Sequence, residues 1–280
     1  MAYDNFKPQL WADNILENLD NSLVFGALAN KDFEGEIKGY GSSVKISEVG
    51  NVSVAAYSGT VNYEELTDAD KILQINQKVY AAVKIDDVDA VQAKPKLVSK
   101  LSQRIAYGMA NDIDAFLAKE YANAGITVTG TTNSATEVSS ATVISLFTGA
   151  ARKLDEANAP QAGRVAVVPP WIKEKMLLAK IIRDTDNSAA LANGSIGSYL
   201  GFEIFVSNNI QHSGTDWYAP MFFIRDMTIG FAHQLEKVEA LRAEAAFEDK
   251  MRALNVYGGK VLYPATLAVA YVKSKAETAI

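Results

Sequence analysis

The sequence predicts an α+β fold in which long strands and one long helix occupy separate stretches of the chain. Apolar residues alternate with polar ones through Val44, Ile46, Val52, Val54 and Ala56, and again through Leu73, Ile75, Val79, Ala81, Val83 and Ile85, with no helix-length apolar stripe across 44–85. From Pro95 to about Tyr121 the apolar residues Val98, Leu101, Ile105, Met109, Ile113 and Phe116 step instead by three and four, the spacing of one long helix. The middle of the chain then alternates helical and strand patterns, and the part after Met221 is mainly β.

Composition supports a folded chain and removes several chemistries. The 280 residues are 49% hydrophobic and 21% charged, with 18 Gly and 7 Pro, which suits one large domain or two packed ones. Zero Cys excludes disulfides, thiolate nucleophiles and Cys-ligated metals, and two His, at 212 and 233, leave little for a proton shuttle. A net charge of −6 argues against a dedicated nucleic-acid binder. The longest apolar runs, such as Val165–Ile172 and Ala265–Val272, are strand-length and far short of the ~18 to 20 residues that cross a bilayer. The first residues lack a basic start before an apolar core, so no secretory signal is expected and the protein is expected to stay where it is made. A scaffold is favoured over a catalyst.

The elements follow in order. Trp11, Ile15, Leu19 and Leu23, after Pro8, predict an amphipathic helix over 10–25 that ends near Gly26. Residues 30–41 mix Gly, Asn and charges without a period and read as an extended arm. If the two alternating runs of 44–85 pair as a hairpin, arms of ~15 to 20 residues at ~3.3 Å each would reach ~50 Å or more. Such a ribbon is marginal alone, so it must fold over its own domain or find a neighbouring subunit. In the long helix, Gly108 costs about 1 kcal/mol relative to Ala and predicts close packing there. Val143, Phe147, Ala150 and Leu154 predict a helix ending before Pro160; Arg164–Val168 is a short buried strand; Pro169 and Pro170 end it and open a helix from Trp171 to about Arg183. The Gly-containing stretch 184–201 reads as a loop, with strands expected at Phe202–Ser207, Met221–Ile224, Val238–Arg242, Lys250–Val256 and Leu267–Val272.

Most chemical motifs fail on inspection. Asp184, Asp186 and Asn187 begin like a calcium loop, but Ala189 and Ser195 stand where Gly and Glu are required. Gly194, Gly197 and Gly201 follow no strand and open no helix, so they are turn residues rather than a phosphate loop. Asp86, Asp87 and Asp89 form one local carboxylate group without further ligands. Neither His212 nor His233 sits beside a Ser in a recognisable nucleophile elbow. No metal or cofactor is expected. The informative feature is a basic stripe, Lys96, Lys100 and Arg104 with Lys94 nearby, at the start of the long helix, where cations oppose the helix dipole. An anion is expected beside it: solvent ions, the acidic residues Glu64, Glu65, Asp68 and Asp70 of the loop between the two strand runs of another subunit, or nucleic-acid phosphates.

The stretches Leu10–Leu19, Phe33–Lys38 leading to Val44–Ile46, Gly163–Pro170, Gly201–Asn209 and Val256-Tyr-Gly-Gly-Lys-Val261, in this order and spacing, resemble the major capsid proteins of tailed bacteriophages, whose fold is shared with encapsulin shells and the herpesvirus capsid floor. The resemblance covers nearly the whole chain. It implies an N-terminal helix and arm (1–43), an extended loop (44–85), the spine helix of a peripheral domain (86–124), an axial domain (125–220) and a β-rich return to the peripheral domain (221–280). It also implies a non-enzymatic subunit that self-assembles through hexamers and pentamers into an icosahedral shell around double-stranded DNA, contacted weakly. The expected site is the virion, after assembly in the host cytoplasm and without a membrane. In relatives the extended loop lies over the peripheral domain of the adjacent subunit, which would pair the acidic residues with the basic stripe. A long N-terminal scaffolding segment and a large inserted domain are not evident, which implies a separate scaffolding protein, or a segment already removed, and a portal. Lys–Asn cross-linking is not assigned. An encapsulin-like nanocompartment is the alternative within the fold; a soluble carboxylate-dependent hydrolase is the alternative outside it.

Overall fold

A computed structural model describes residues 23–32, 43–49, 68–86, 96–179, 195–214, 216–242 and 248–277. The helix expected over 10–25, nearly all of the arm at 30–41, residues Val52 to Ala56, Asp87, Asp89 and the polar run 184–194 lie largely outside these residues.

The chain enters through a single helical turn, α1 (Phe25–Leu28), so helix continues past Gly26; Asn30 then bridges to Gly230. Strands β1 (Ser43–Val49) and β2 (Asp68–Gln74) pair antiparallel from Ser43↔Gln74 to Val49↔Asp68, the root of the expected hairpin. After a corner at Ile75 and Asn76 comes β3 (Gln77–Asp86), then the spine helix α2 (Lys96–Ala118), which tightens into a 3₁₀ turn over Lys119–Asn123. The next part holds β4 (Ile126–Thr127), β5 (Thr136–Val138), α3 (Val143–Glu156), β6 (Arg164–Val168) and α4 (Pro170–Leu178). There follow β7 (Ser195–Tyr199), β8 (Phe202–Val206), β9 (His212–Ser213), β10 (Trp217–Tyr218) and β11 (Met221–Ile224). Two long strands, β12 (Ile229–Arg242) and β13 (Glu248–Val261), and two short ones, β14 (Ala268–Val269) and β15 (Val272–Ser274), complete it.

The fold is organised by one sheet of order β4-β14-β11-β6-β8-β7. Strand β6 lies at its interior, paired with β11 and β8, and all five of its residues are buried. Its side chains alternate between two cores: Val165 and Val167 join the core under α2, while Ala166 and Val168 join the core under α3. Burial on both faces explains why this segment is continuously apolar in sequence. Helix α3 packs its stripe of Leu146, Phe147, Ala150 and Leu154 on the second core, where Phe147 meets Phe222 edge-to-face at 5.4 Å. Pro170 opens α4 at a position where a missing N–H costs nothing.

The second body is the sheet β12-β13-β3, crossed on one face by α2. Ile105, Met109, Ile113 and Leu117 from the helix bury against Val79, Ala81, Val83, Ala253 and Tyr257. The Tyr257 hydroxyl donates to the Asp112 carboxylate at 2.5 Å, and burial together with that carboxylate pushes the phenol's pKa well up.

Several expectations are corrected. The second alternating run is not one strand: it breaks at Ile75–Asn76, β2 pairs with β1, and β3 leaves to pair with β13 from Gln77↔Tyr257 to Asp86↔Glu248. The described arms of the hairpin are therefore 43–49 and 68–74, and 77–85 of the expected 44–85 belong to the sheet with β13. Gly108 faces solvent, with open space where a Cβ would stand, because α2 buries the face carrying Ile105 and Met109. Helix α4 stops at Leu178, short of Arg183. Residues 195–201, expected as loop, form β7 and a two-residue turn, Leu200-Gly201, with positive φ at both positions (49° and 81°), the geometry that joins antiparallel strands tightly. The Leu267–Val272 strand splits into β14 and β15 in different sheets. In the region 221–280, β12 and β13 form the sheet under the helix α2, while β11, β14 and β15 complete sheets of the 125–220 region, with Met221, Phe223 and Leu267 also reaching the core under α2.

Candidate assembly interface

The hairpin root is built on the face of the β12-β13-β3 sheet opposite α2. Val44 from β1, Leu73 from β2 and Ile75 from the corner bury against Ala232 and Val256, forming a small separate core with Ile46 at its margin. Along the inward face, burial falls from Val44 and Leu73 to the half-buried pair Ile46 and Lys71 one step outward, so the ribbon is leaving the body. Polar contacts hold its exit: the Lys71 ammonium lies 4.2 Å from the centre of the Tyr263 ring, and Lys260 Nζ donates to the Ile72 carbonyl at 3.2 Å.

Beyond the root, the same sheet face is exposed among the described residues. Tyr80 is opposite Leu254, Ala82 is opposite Arg252, and Arg252 is opposite and ion-paired with Glu239. Tyr80 is 77% exposed, and Lys78, Ala82, Lys84 and Lys250 are exposed on this face. Tyr80, Ala82, Glu239, Arg252 and Leu254 border a shallow groove of about 430 Å³ on this face. An exposed tyrosine beside a half-buried leucine, rimmed by charges, is the composition of a contact surface.

The sequence-predicted site residues are distributed as follows. Glu64 and Glu65 lie outside the described residues. Asp68 and Asp70 sit on β2 opposite Val49 and Ser47, at the outward end of the described hairpin. Lys96 and Lys100 occupy the first turns of α2, whose first turn holds no acid, and Arg104 is exposed one turn further on. Sequence reasoning missed Tyr80, Leu254 and Lys71 and gave no role to Lys260 and the Gly258-Gly259 pair within the stretch Val256–Val261; the skip from Ile75 to Val79 in the alternation is the signal that marks the corner. His212 is exposed and stacks on Tyr218 at 5.1 Å, and His233 stacks on Phe231 at 5.3 Å.

A second anchor was also unread. Asp114 on α2 is 2% exposed and accepts N–H groups from Val24 (2.8 Å), Phe25 (3.0 Å) and Gly26 (3.2 Å), capping α1 from across the core. Burial pushes its carboxyl up to about 6 although the three donors pull it down.

A family model described as phage capsid protein matches residues 70–270, most of the chain. The chain belongs to the phage capsid protein family. A solved chain from Mycobacterium phage Che8 is 30% identical to this capsid protein, with a TM-score of 0.71 over 96% of this chain and 98% of that one. The capsid of cyanophage P-SCSP1u is 17% identical, with a TM-score of 0.65 over 90% and 89%. A virus-like particle from Pyrococcus furiosus, 9% identical, shares the fold at a TM-score of 0.60 over 96% and 100%. A comparison with curated protein sequences finds no match. The capsid protein is thus a structural shell subunit in family and in α+β fold.

Proposed function

We propose that many copies of this capsid protein form an icosahedral shell that packages double-stranded DNA, with the hairpin of one copy laid across the β12-β13-β3 face of the next. The observation that carries the reading is the pairing of two features of the described residues: a ribbon root whose burial falls after the Val44–Leu73 step, and a sheet face beside it that is exposed from Tyr80 to Arg252. A two-stranded ribbon is marginal without a partner, and a second copy supplies it. Glu64, Glu65, Asp68 and Asp70 of the ribbon meet Lys96, Lys100 and Arg104 of the neighbour, setting register more than strength because exposed pairs contribute only ~0 to 1 kcal/mol each. The subunit performs no catalysis, a separate scaffolding protein and a portal complete assembly in the host cytoplasm, and a wall of net charge −6 grips packaged DNA weakly.

Negative-stain electron microscopy of the expressed protein tests this directly: closed shells of uniform diameter are expected, and a protein that stays monomeric at high concentration refutes it. Lys96→Glu, Lys100→Glu and Arg104→Glu together should block closure, and reversing Glu64, Glu65, Asp68 and Asp70 to Lys should restore it. Absence of rescue assigns the basic stripe to solvent. The encapsulin-like alternative rests on the shared fold of the Pyrococcus furiosus particle, and nuclease-protected DNA rather than protein cargo inside shells decides against it.

A further inference from the structure

The geometry points to Gly258 as the positioning residue that sets the angle at which the hairpin leaves the body; this rests on the assembly reading above and deepens it. Strand β13 is crossed on both faces at Gly258-Gly259. On one face the corner between β2 and β3 lies directly on the strand: a Cβ at 258 would stand 2.2 Å from the Gln74 carbonyl oxygen and 3.0 Å from both the Gln74 carbonyl carbon and the Ile75 Cα. These are backbone atoms, which cannot rotate aside. On the other face a Cβ at 259 would stand 2.5 Å from Leu117 Cδ2 on α2, the end of a side chain that can turn away. The two glycines differ in kind: one seats a backbone, the other a rotamer.

The seat matters because the hairpin acts as a lever. Gln74 and Ile75 close the ribbon at Ser43↔Gln74, and the next residues, from Gln77, are pinned to β13 by the ladder that begins at Tyr257. The apolar plug of Val44, Leu73, Ile75, Ala232 and Val256 stands on the same spot, and Lys260, two residues beyond Gly258, reaches the Ile72 carbonyl. Lifting the corner from 2.2 Å to an ordinary contact of 3.4 Å moves it outward by the difference, about 1.2 Å. Across layers about 10 Å apart that displacement is a tilt of roughly 7°, and over the ~20 Å from Gln74 to Asp68 it grows to about 2 Å, with more beyond. The contact with a neighbouring copy is made by the far part of the ribbon, so a side chain at 258 alters the intersubunit angle without touching the interface.

The absence of Cys allows single labels to be placed at will. Spin labels at Asp68→Cys and Gln103→Cys, read in the unassembled subunit, should report a distance that shifts by about 2 Å in Gly258→Ala and by more in Gly258→Val. The same shift should be absent in Gly259→Ala, and the Gly258 variants should give shells of altered diameter or open sheets with cooperative unfolding retained. An unshifted distance in Gly258→Val, with shells of normal diameter, overturns the proposal. Should the Gly258 variants not fold, Lys260→Met decides: a broadened label distance with unchanged thermal unfolding supports the mounted lever, and an unchanged distribution refutes it. The two readings separate cleanly, because wild-type protein without shells but with a Gly258-dependent distance defeats only the assembly reading, while wild-type shells with an invariant distance defeat only the seat.

Discussion

Asp114 should make the attachment of the N-terminal segment pH-dependent. It is 2% exposed, it caps a one-turn helix that has no side-chain cap of its own, and its donors come from residues 88 to 90 positions earlier. Its folded-state pKa of about 6 lies above the ordinary 3.8, with burial the largest cause. A raised carboxyl pKa means that the folded protein holds the proton where the unfolded chain has lost it. The contribution is therefore complete below about pH 4 and is lost as pH rises through 6. Two units correspond to about 3 kcal/mol. Asp114→Asn resembles the protonated acid and cannot ionise, so the variant lacks this dependence. Urea unfolding of both proteins at several pH values isolates the effect, since every other carboxylate cancels in the difference between them. That difference should move by about 3 kcal/mol in favour of the variant between pH 4 and pH 7. Amide exchange at Val24, Phe25 and Gly26 should follow it. A difference that stays constant within about 0.5 kcal/mol would show that the three N–H donors outweigh burial and keep the carboxylate ionised throughout. Asp114→Ala, which orphans all three donors and likewise cannot ionise, should cost about 2 to 4 kcal/mol at pH 4 and correspondingly less at pH 7.

Asn255 is fully buried on β13, and neither its Nδ2 nor its Oδ1 has a partner among the described residues, so Asn255→Leu should stabilise the protein by about 1 to 3 kcal/mol, read as a higher thermal midpoint. Phe147, 0% exposed and edge-to-face with Phe222 and Tyr199, should cost about 3 to 5 kcal/mol when replaced by Ala in urea unfolding. Gly108→Ala should stabilise by up to about 1 kcal/mol, because α2 has open space there. Glu277 bonds Lys175 at 2.7 Å and the Ser140 N–H and hydroxyl, and the lysine holds its carboxyl down to about 2. A lowered acid pKa gives stability present above about pH 4.5 and lost as pH falls toward 2, so amide protection of Lys275, whose N–H donates to Val138, should vanish in acid and, in Glu277→Gln, at neutral pH as well.

Element types and their order were legible in the sequence because local periodicity reports which side of a segment is apolar. The three- and four-residue steps of Ile105, Met109 and Ile113 match the buried face of α2, and the unbroken run Val165–Val168 matches a strand buried on both faces. The basic stripe was legible together with its placement on a helix start, whereas Asp68 and Asp70, legible as acids and expected in the loop between the two strand runs, stand on β2. Only the tertiary structure decided the partners. The choice of β13 over β1 as the mate of β3 is made between segments more than a hundred residues apart, and no local pattern in β3 distinguishes them. Gly108 and Gly258 look equivalent as letters, yet one faces open space and the other lies 2.2 Å from a carbonyl oxygen at the Cβ position, because a glycine's meaning is set by what the rest of the chain brings against it. Asp114 is one acid in a helix until the chain returns three N–H groups to it. Composition and periodicity determined a cysteine-free α+β chain with an orphan ribbon and one long helix. Long-range packing decided where that ribbon is mounted and on which sheet face its root sits.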